Sequence, residues 1–444
     1  MKNITNKHIT ILGAVRSGIA AAKLAHKLNA IPFVSDFSDK MKKIDELDQL
    51  GINYELGGHS DKVFDCDFII TSPGVPSNSK ILIDAITKGI KVISEIEFAS
   101  WFCKGNIVAI TGSNGKTTTT ELCNHTLNTC GLKSYSAGNI GLAFSEITLD
   151  VKENEFVVLE VSSFQLDYID EFKPKYAILL NVTPDHLDRY DNDFNKYAKS
   201  KLKINQNQND DDYFIYNIDD EYLSKIKIEN GTKIPFSSSP LNEGVFIDGE
   251  MFVMKHGNMI ESICRTDSLQ IKGEHNLYNA MSVLAVAKLL NLDNEAIQKA
   301  LASFKGVEHR LELVRTINGI NFINDSKATN VDSVWFALRS FKTPIILILG
   351  GKDKGNDYSR IKELVSENVK KIYAIGSSAD KIFNYFQSIV EVQKADSLEF
   401  AVNDAYKIAR DGEVVLLSPA CASFDMFNNY EHRGYIFKQI VMQL

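Results

Sequence analysis

Short apolar runs that stop abruptly at polar residues recur along this chain, and stretches of helical pattern separate them. That alternation is the mark of βαβ units, because a strand covered on both faces by crossover helices reads as one continuous apolar run. In the first hundred residues the predicted strands are His8–Leu12, Pro32–Ser35, Phe68–Thr71 and Lys91–Ile93, with a helical stretch over Gly18–Leu28. The pattern breaks near Lys104-Gly105-Asn106 and restarts with Ile107–Thr111, Phe156–Glu160 and Tyr176–Val182. A polar run, Asn205–Asp212, leads into β-like segments that include Val245–Met254, whose Asp248-Gly249 suits a hairpin turn. An apolar-faced helix follows over Asn276–Leu290, and the pattern changes again near Lys305–Arg310. The last block offers Pro344–Leu349, Ile372–Ile375 and Val414–Leu417 as buried strands. Three α/β blocks fit the 444 residues, since an ordinary domain takes about 150.

Composition narrows the class. Hydrophobic residues at 44% and charged residues at 24% are globular values and exclude a disordered, collagen-like or coiled-coil chain. A net charge of −8 argues against a broadly basic nucleic-acid binder. The apolar patch Ile9–Ala14 is broken by Arg16 and Gly18, and no later run approaches the ~20 apolar residues of a membrane span. Six scattered cysteines, with no C-x-x-C pair, read as free thiols of a reducing cytosol. The expectation is a cytoplasmic protein without nucleic-acid partner or membrane span.

The segment richest in chemistry is Gly112-Ser113-Asn114-Gly115-Lys116-Thr117-Thr118, between a strand and a helical stretch. Its glycines let the backbone wrap a polyphosphate, and the N–H groups at the helix start supply donors. Lys116 can neutralise phosphate oxygens, and Thr117 is the hydroxyl expected on Mg²⁺. A usual P-loop would carry glycine where this chain has Ile110. In open α/β sheets, ligands sit beyond the carboxyl ends of the strands. The tails Gly112–Thr117, Glu160–Gln165 and Thr183–Asp188 should therefore share one crevice, bringing Glu160 and His186 to the phosphate loop as a hard-cation site. Taken singly, Glu160 reads as a capping carboxylate and His186 as a hydrogen-bonded imidazole. Lys201 follows Phe194 and Tyr197 at i, i+3, i+7 spacing, so it is either a desolvated, reactive amine or a surface lysine with its stem laid over the aromatics; local pattern favours the second.

Gly13-Ala14-Val15-Arg16-Ser17-Gly18 follows a strand and opens a helix, with Asp36 closing the next strand where a ribose-binding acid often sits. Val15 replaces the middle glycine of a dinucleotide fingerprint, which weakens an NAD site and leaves a nucleotide-diphosphate site or a plain tight turn. In the last block three stretches would suit a small polyanion. They are Asn324–Asn330, Gly350–Gly355, and Ser418–Ser423 with Pro419 as a first helical residue. Cys421 lacks a histidine partner and reads as a packed thiol.

Taken in order and spacing, these segments resemble the Mur ligase family of bacterial cell-wall synthesis. The resemblance rests on Thr111–Thr118, Gly138-Asn139-Ile140-Gly141, Glu160–Gln165, Asn181–His186, Gly273–Ala280, His309-Arg310, Asp325–Asn330 and Ser418–Asp425, and it spans essentially the whole chain. Asp325–Asn330 singles out the members that add D-glutamate. The implied fold is three α/β domains: a Rossmann-like domain at 1–97 for the muramoyl nucleotide, a P-loop-type ATPase domain at 98–306 with a parallel sheet plus a small β-sheet, and a Rossmann-like domain at 307–444 for D-glutamate. The implied reaction joins D-glutamate to UDP-N-acetylmuramoyl-L-alanine at the expense of ATP, through an acyl phosphate, with a monomer as the working unit.

The resemblance also implies the site. Lys116, Glu160, His186, Lys201 and Arg310 are its catalytic residues. ATP is held by Gly112, Ser113, Asn114, Gly115, Lys116, Thr117, Thr118, Asn276, Asn279, Arg310 and Asp325. Two Mg²⁺ ions, for which Mn²⁺ can substitute, fall to Thr117, Glu160, His186 and a carbamylated Lys201. Arg16, Ser17, Gly74, Asn139 and His186 match the muramoyl-nucleotide side, although Val15 and Phe37-Ser38 depart from the family pattern around the uracil. Lys327, Thr329, Lys354, Ser423 and Tyr430 match the D-glutamate side. The rival readings are a folylpolyglutamate synthase-like ligase, a non-catalytic ATP-gated binding protein on the same fold, and an NAD-dependent oxidoreductase.

Overall fold

The structure is a computed structural model that describes residues 2–39, 44–353 and 355–444. Among these residues the strands form three sheets. The first contains β1 (His8–Leu12), β2 (Ile31–Asp36), β3 (Asn53–Leu56), β4 (Phe68–Thr71) and β5 (Lys91–Ser94) in the order β3-β2-β1-β4-β5. All its pairings are parallel.

The second sheet contains β6 (Asn106–Thr111), β7 (Ser134–Gly138), β8 (Phe156–Glu160), β9 (Tyr176–Leu179), β10 (Tyr213–Asn217), β11 (Thr232–Ser237), β12 (Gly244–Asp248), β13 (Met251–His256) and β14 (Met259–Arg265). Its order is β14-β13-β12-β11-β10-β9-β6-β8-β7. The seven strands from β6 to β12 are parallel, and β13 and β14 extend the sheet as an antiparallel hairpin. The third sheet contains β15 (Glu312–Ile317), β16 (Ile320–Asn324), β17 (Ile345–Gly350), β18 (Val369–Ile375), β19 (Glu391–Ala395) and β20 (Val414–Leu417) in the order β15-β16-β20-β17-β18-β19. Only its edge strand β15 is antiparallel.

The chain divides into two compact units, Met1–Gln270 with Leu277–Phe304, and Ile271–Asn276 with Lys305–Leu444. The first carries two sheets, the second the third. Strands β6, β8, β9, β17 and β20 are buried along almost their whole length, which is why they read as unbroken apolar runs.

Strand order positions the site. In the second sheet β6 lies between β8 and β9, with Ile110 opposite Glu160 and Thr111 opposite Leu179. The three polar tails therefore leave one edge side by side, as the spacing predicts. In the third sheet β20 lies between β16 and β17, which gathers the tails Asp325–Asn330, Ser418–Ser423 and Gly351-Lys352 in the same way.

Several local expectations need correction. No helix follows Pro419: the chain runs on irregularly, with Ala420 at φ +58°, until a helix over Tyr430–Gln443 starts behind the Asn429 cap. The turn between β12 and β13 is Gly249-Glu250, one residue later than expected, because Asp248 still pairs with Met251. The helix after the phosphate loop begins at Lys116 rather than Thr118.

Candidate active site

The phosphate loop closes the turn from β6 into the helix Lys116–Thr129. Its shape is set by reciprocal hydrogen bonds to the tail of β9. Asn114 N donates to Asn181 Oδ1 (2.8 Å), and Asn181 Nδ2 donates back to Asn114 O (3.1 Å). Ser113 Oγ donates to Thr183 O (2.8 Å) and accepts from Thr183 N (2.9 Å), with Tyr197 Oη 2.9 Å away. Gly115 is at φ +87°, and a Cβ there would lie 2.5 Å from Asn279 Oδ1. No larger residue fits that position without shifting Asn279.

Two lysines meet on this loop. Lys116 Nζ donates to Gly112 O (2.7 Å) and Ser113 O (2.9 Å), while Lys201 Nζ donates to Gly112 O (2.7 Å). Lys201 belongs to the helix Phe194–Leu202, is 2% exposed, and lies over the Tyr197 ring at 4.7 Å. The surface-lysine alternative is thereby corrected: the helix face that carries Tyr197 turns inward. Burial, reinforced by the Lys116 charge, lowers the Lys201 pKa well below that of an ordinary lysine, so the amine is biased toward its neutral, nucleophilic form.

Glu160, at the end of β8, is 3% exposed. Its Oε2 accepts from Thr117 Oγ1 (2.6 Å) and its Oε1 from Asn139 Nδ2 (3.1 Å). The structure thus brings Thr117, Glu160 and Asn139 into one contact chain beside the phosphate loop. His186 follows β9 in a left-handed conformation at φ +50°. Its ring stands edge-on to Phe164 (5.2 Å), with Nε2 3.8 Å from Asp185 Oδ2. Thr118 is buried, and its hydroxyl has no hydrogen-bond partner among the described residues.

A cavity of about 650 Å³ opens where β1 turns into the helix Arg16–Lys27. It is lined by Arg16, Ser17, Gly74 and Asn139, four of the five residues expected on the muramoyl-nucleotide side, and also by Val15, Phe37 and His59. Val15, the N-cap of that helix, offers no side-chain cap, so first-turn N–H groups stay available to an anion. Arg16 Nη1 donates to Gly141 O (2.6 Å). Asp36 accepts from Ala14 N and from Ser38 N (2.7 Å), so the acid expected at a ribose also fastens the first glycine turn. The sequence carries no signal for His59, nor for Arg189, whose Nη1 donates to Pro73 O (2.8 Å) while its guanidinium covers Phe164 at 4.2 Å. Neither belongs to a recognisable spacing; tertiary packing alone brings them in.

In the second unit, Asp325 is 2% exposed; its Oδ2 accepts from Ser418 Oγ (2.8 Å) and its Oδ1 from Leu311 N (3.3 Å). Burial raises its pKa to about 6, against the opposing pull of Arg310. Arg310 Nε is buried without a hydrogen-bond partner among the described residues, a group suited to an incoming anion. Burial lowers His275 to about 4, with Arg310 assisting. Asn276 Nδ2 donates to Lys272 O (2.7 Å).

Lys327 Nζ lies 5.5 Å from the centre of the Tyr430 ring, Ser423 is buried, and Thr329 is half-buried on the same tail. Lys354 lies outside the described residues. A residue missed in the sequence ties this edge together. Arg433, fully buried, donates to Ser326 Oγ (3.0 Å), Ser326 O (2.8 Å) and Cys421 O (3.1 Å). Cys421 is itself buried among Asn356, Tyr358 and Ser378, as a packed thiol should be.

Comparison with known proteins agrees with this layout. The sequence matches the family profiles described as MurD N-terminal domain over residues 9–81, Mur ligase middle domain over 110–287, and Mur ligase, glutamate ligase domain over 309–421. It is 43% identical to the UDP-N-acetylmuramoylalanine--D-glutamate ligase of Salinibacter ruber, covering 98% of this chain and 97% of that one. The ligase of the same name from Christiangramia forsetii is 44% identical over 99% of this chain and 100% of its own. Among solved structures, the MurF ligase of Thermotoga maritima in complex with ADP shares the fold at a TM-score of 0.63, with 17% identity over 100% of both chains. Identity of that extent along the whole chain, with all three family profiles in register, leaves one conclusion: the chain belongs to the Mur ligase family, with the UDP-N-acetylmuramoylalanine--D-glutamate ligases.

Proposed function

We propose that this chain is the ATP-dependent ligase that joins D-glutamate to UDP-N-acetylmuramoyl-L-alanine in peptidoglycan precursor synthesis. The observation that carries this reading is the full-length identity to ligases of that name. The Thr117–Glu160–Asn139 chain beside the phosphate loop supports it, because it joins the ATP loop to the wall of the 650 Å³ cavity. Residues 1–97 serve the muramoyl nucleotide, 98–306 ATP and 307–444 D-glutamate, with a monomer in the cytoplasm as the working unit. Among the described residues no helix is long and apolar enough to cross a membrane.

The donor set beside the loop fits Mg²⁺. A hydroxyl and a carboxylate oxygen 2.6 Å apart can share a cation, and Mg²⁺ takes few protein ligands, drawing the rest from phosphate and water. Thr117 and Glu160 would hold one ion; Glu160, His186 and a carbamylated Lys201 would hold a second. Bound there, Mg²⁺ supplies positive charge to the transferring phosphoryl group.

The chain's own residues do the remainder. Gly112–Thr118 and Lys116 hold the polyphosphate, with Asn276, Asn279, Arg310 and Asp325 completing the nucleotide contacts. Arg16, Ser17, Gly74, Asn139 and His186 orient the muramoyl substrate, so that its alanyl carboxylate oxygen attacks the γ-phosphorus while the β–γ bridging bond breaks and ADP leaves. Lys327, Thr329, Lys354, Ser423 and Tyr430 hold D-glutamate, whose amine attacks the acyl carbon. Phosphate departs with the carboxylate oxygen, and the amine proton passes to base. Fixed cations and donors are needed because carboxylate and phosphate repel each other. Oxygen-18 placed in the alanyl carboxylate should therefore appear in the released phosphate; phosphate free of the label would contradict the acyl-phosphate route.

A further inference from the structure

The 650 Å³ cavity has two ends, set by strand order. β4, with Gly74 beyond it, lies on one side of β1; β2 and β3 lie on the other. Arg16, Ser17 and the helix start mark the phosphate position between them. A base attached through a diphosphate then extends toward β2 and β3, where Phe37 and His59 line the cavity. Phe37 is 79% exposed, an uncommon state for a large apolar ring, and its centroid lies 6.3 Å from that of His59 at 44°.

Hydrogen counting fixes the His59 tautomer. Glu55 accepts from Ser60 N (2.9 Å) and Ser60 Oγ (2.5 Å) as well as from Ser35 Oγ (2.7 Å). Those bonds hold its pKa below the ordinary carboxylate value despite partial burial, so Glu55 is an acceptor only. Ser35 has a single hydroxyl proton, and that proton goes to Glu55. The 2.7 Å contact between Ser35 Oγ and His59 Nδ1 must then use a proton on Nδ1. Burial lowers the His59 pKa below the ordinary imidazole value, against the pull of Glu55 and Asp36, which favours the neutral ring. Its Nε2 is therefore a bare lone pair, an acceptor held in one form by a Glu55–Ser35–His59 relay.

We propose that Phe37 and His59 determine base specificity at this cavity: Phe37 packs on the face of a pyrimidine, and His59 Nε2 accepts the N3–H that uracil has and cytosine lacks. The inference rests on the UDP-linked substrate proposed above and adds how its base is selected. A site built to receive an N–H rejects an analogue without one, because the site's acceptor is left unpaired.

The test compares the wild-type protein with His59 and Phe37 variants on four ligands, UDP, CDP, N3-methyl-UDP and UDP-N-acetylmuramoyl-L-alanine, with affinities measured by calorimetry. UDP should bind about tenfold more tightly than CDP or N3-methyl-UDP. His59→Ala should weaken UDP and erase that preference. Phe37→Ala should weaken all three diphosphates about equally and raise KM for the muramoyl nucleotide at unchanged kcat, with Phe37→Tyr restoring both. Equal wild-type affinity for UDP and N3-methyl-UDP, with normal turnover, would overturn the His59 assignment and leave the ligase reading intact. A wild-type preference that survives His59→Ala would do the same. Absence of both UDP binding and turnover would overturn the ligase reading and this inference together.

Discussion

Lys201 shows how much a single residue gains from its surroundings. Its i, i+3, i+7 relation to Phe194 and Tyr197 is legible in the sequence; which way that face turns is not, because Lys196, Lys199 and Lys203 beside it make the helix look solvated. Tertiary packing decides, placing Lys201 at 2% exposure on the Gly112 carbonyl. Two outcomes follow. Lys201→Ala should cut kcat by about 10²–10³-fold, with partial rescue by short carboxylates that replace the proposed carbamate; wild-type rates would contradict the role. Stability should also respond to pH. Between the lowered native pKa and the ordinary lysine value of about 10.4, the unfolded chain binds more protons than the native one, so stability rises with pH across that window. Urea unfolding in CO₂-free buffer should show this slope in wild type and its loss in Lys201→Met; equal slopes would contradict it. Arg433 was wholly illegible for a related reason. Its partners are backbone carbonyls and a serine from segments that only the third sheet brings together, and no spacing records that.

At the scale of elements, the buried parallel strands were easiest to read: β1, β4, β8 and β20 fall at the predicted residues because burial on both faces enforces continuous apolar sequence. The strands that escaped prediction lack that signature. β7 reads Ser-Tyr-Ser-Ala-Gly at a sheet edge, and β11 contains Pro235, whose missing N–H is tolerated because β11 pairs with β12 only at Phe236 and Ser237. Convergence of the three polar tails was legible because it needs only parallel neighbours.

Joints between elements were not legible, and Glu97 is the clearest. On the short helix Glu95–Ser100, fully buried, its carboxylate accepts from Asp170 N (2.9 Å), Glu171 N (3.1 Å), Phe172 N (2.7 Å) and Trp101 Nε1 (2.7 Å). Glu97→Ala leaves four donors without their acceptor and should cost about 3 kcal/mol or more. Urea unfolding measures it; a loss below about 1 kcal/mol would show that water or a shifted loop takes over.

At the scale of the whole molecule, the reading proposed above divides the labour of one ligation among three sheets. The first presents a nucleotide-sized cavity, the second a phosphate loop with a carboxylate and an activated lysine, and the third a buried arginine network beneath a tail of small and cationic residues. An acidic chain, at −8 overall, can still serve three anionic substrates. On the proposed assignment the cations that serve them are local: Arg16, Lys116, Arg310 and Lys327, with helix N–H groups beside them. The central claim, that all three sites act in one ligation, is tested most directly by ADP release from ATP with each substrate supplied or withheld in turn. Release should require UDP-N-acetylmuramoyl-L-alanine and D-glutamate together, with only background rates when either is missing or when L-glutamate or L-alanine replaces D-glutamate. Equal turnover with a folate acceptor, or ADP release indifferent to D-glutamate, would contradict the account.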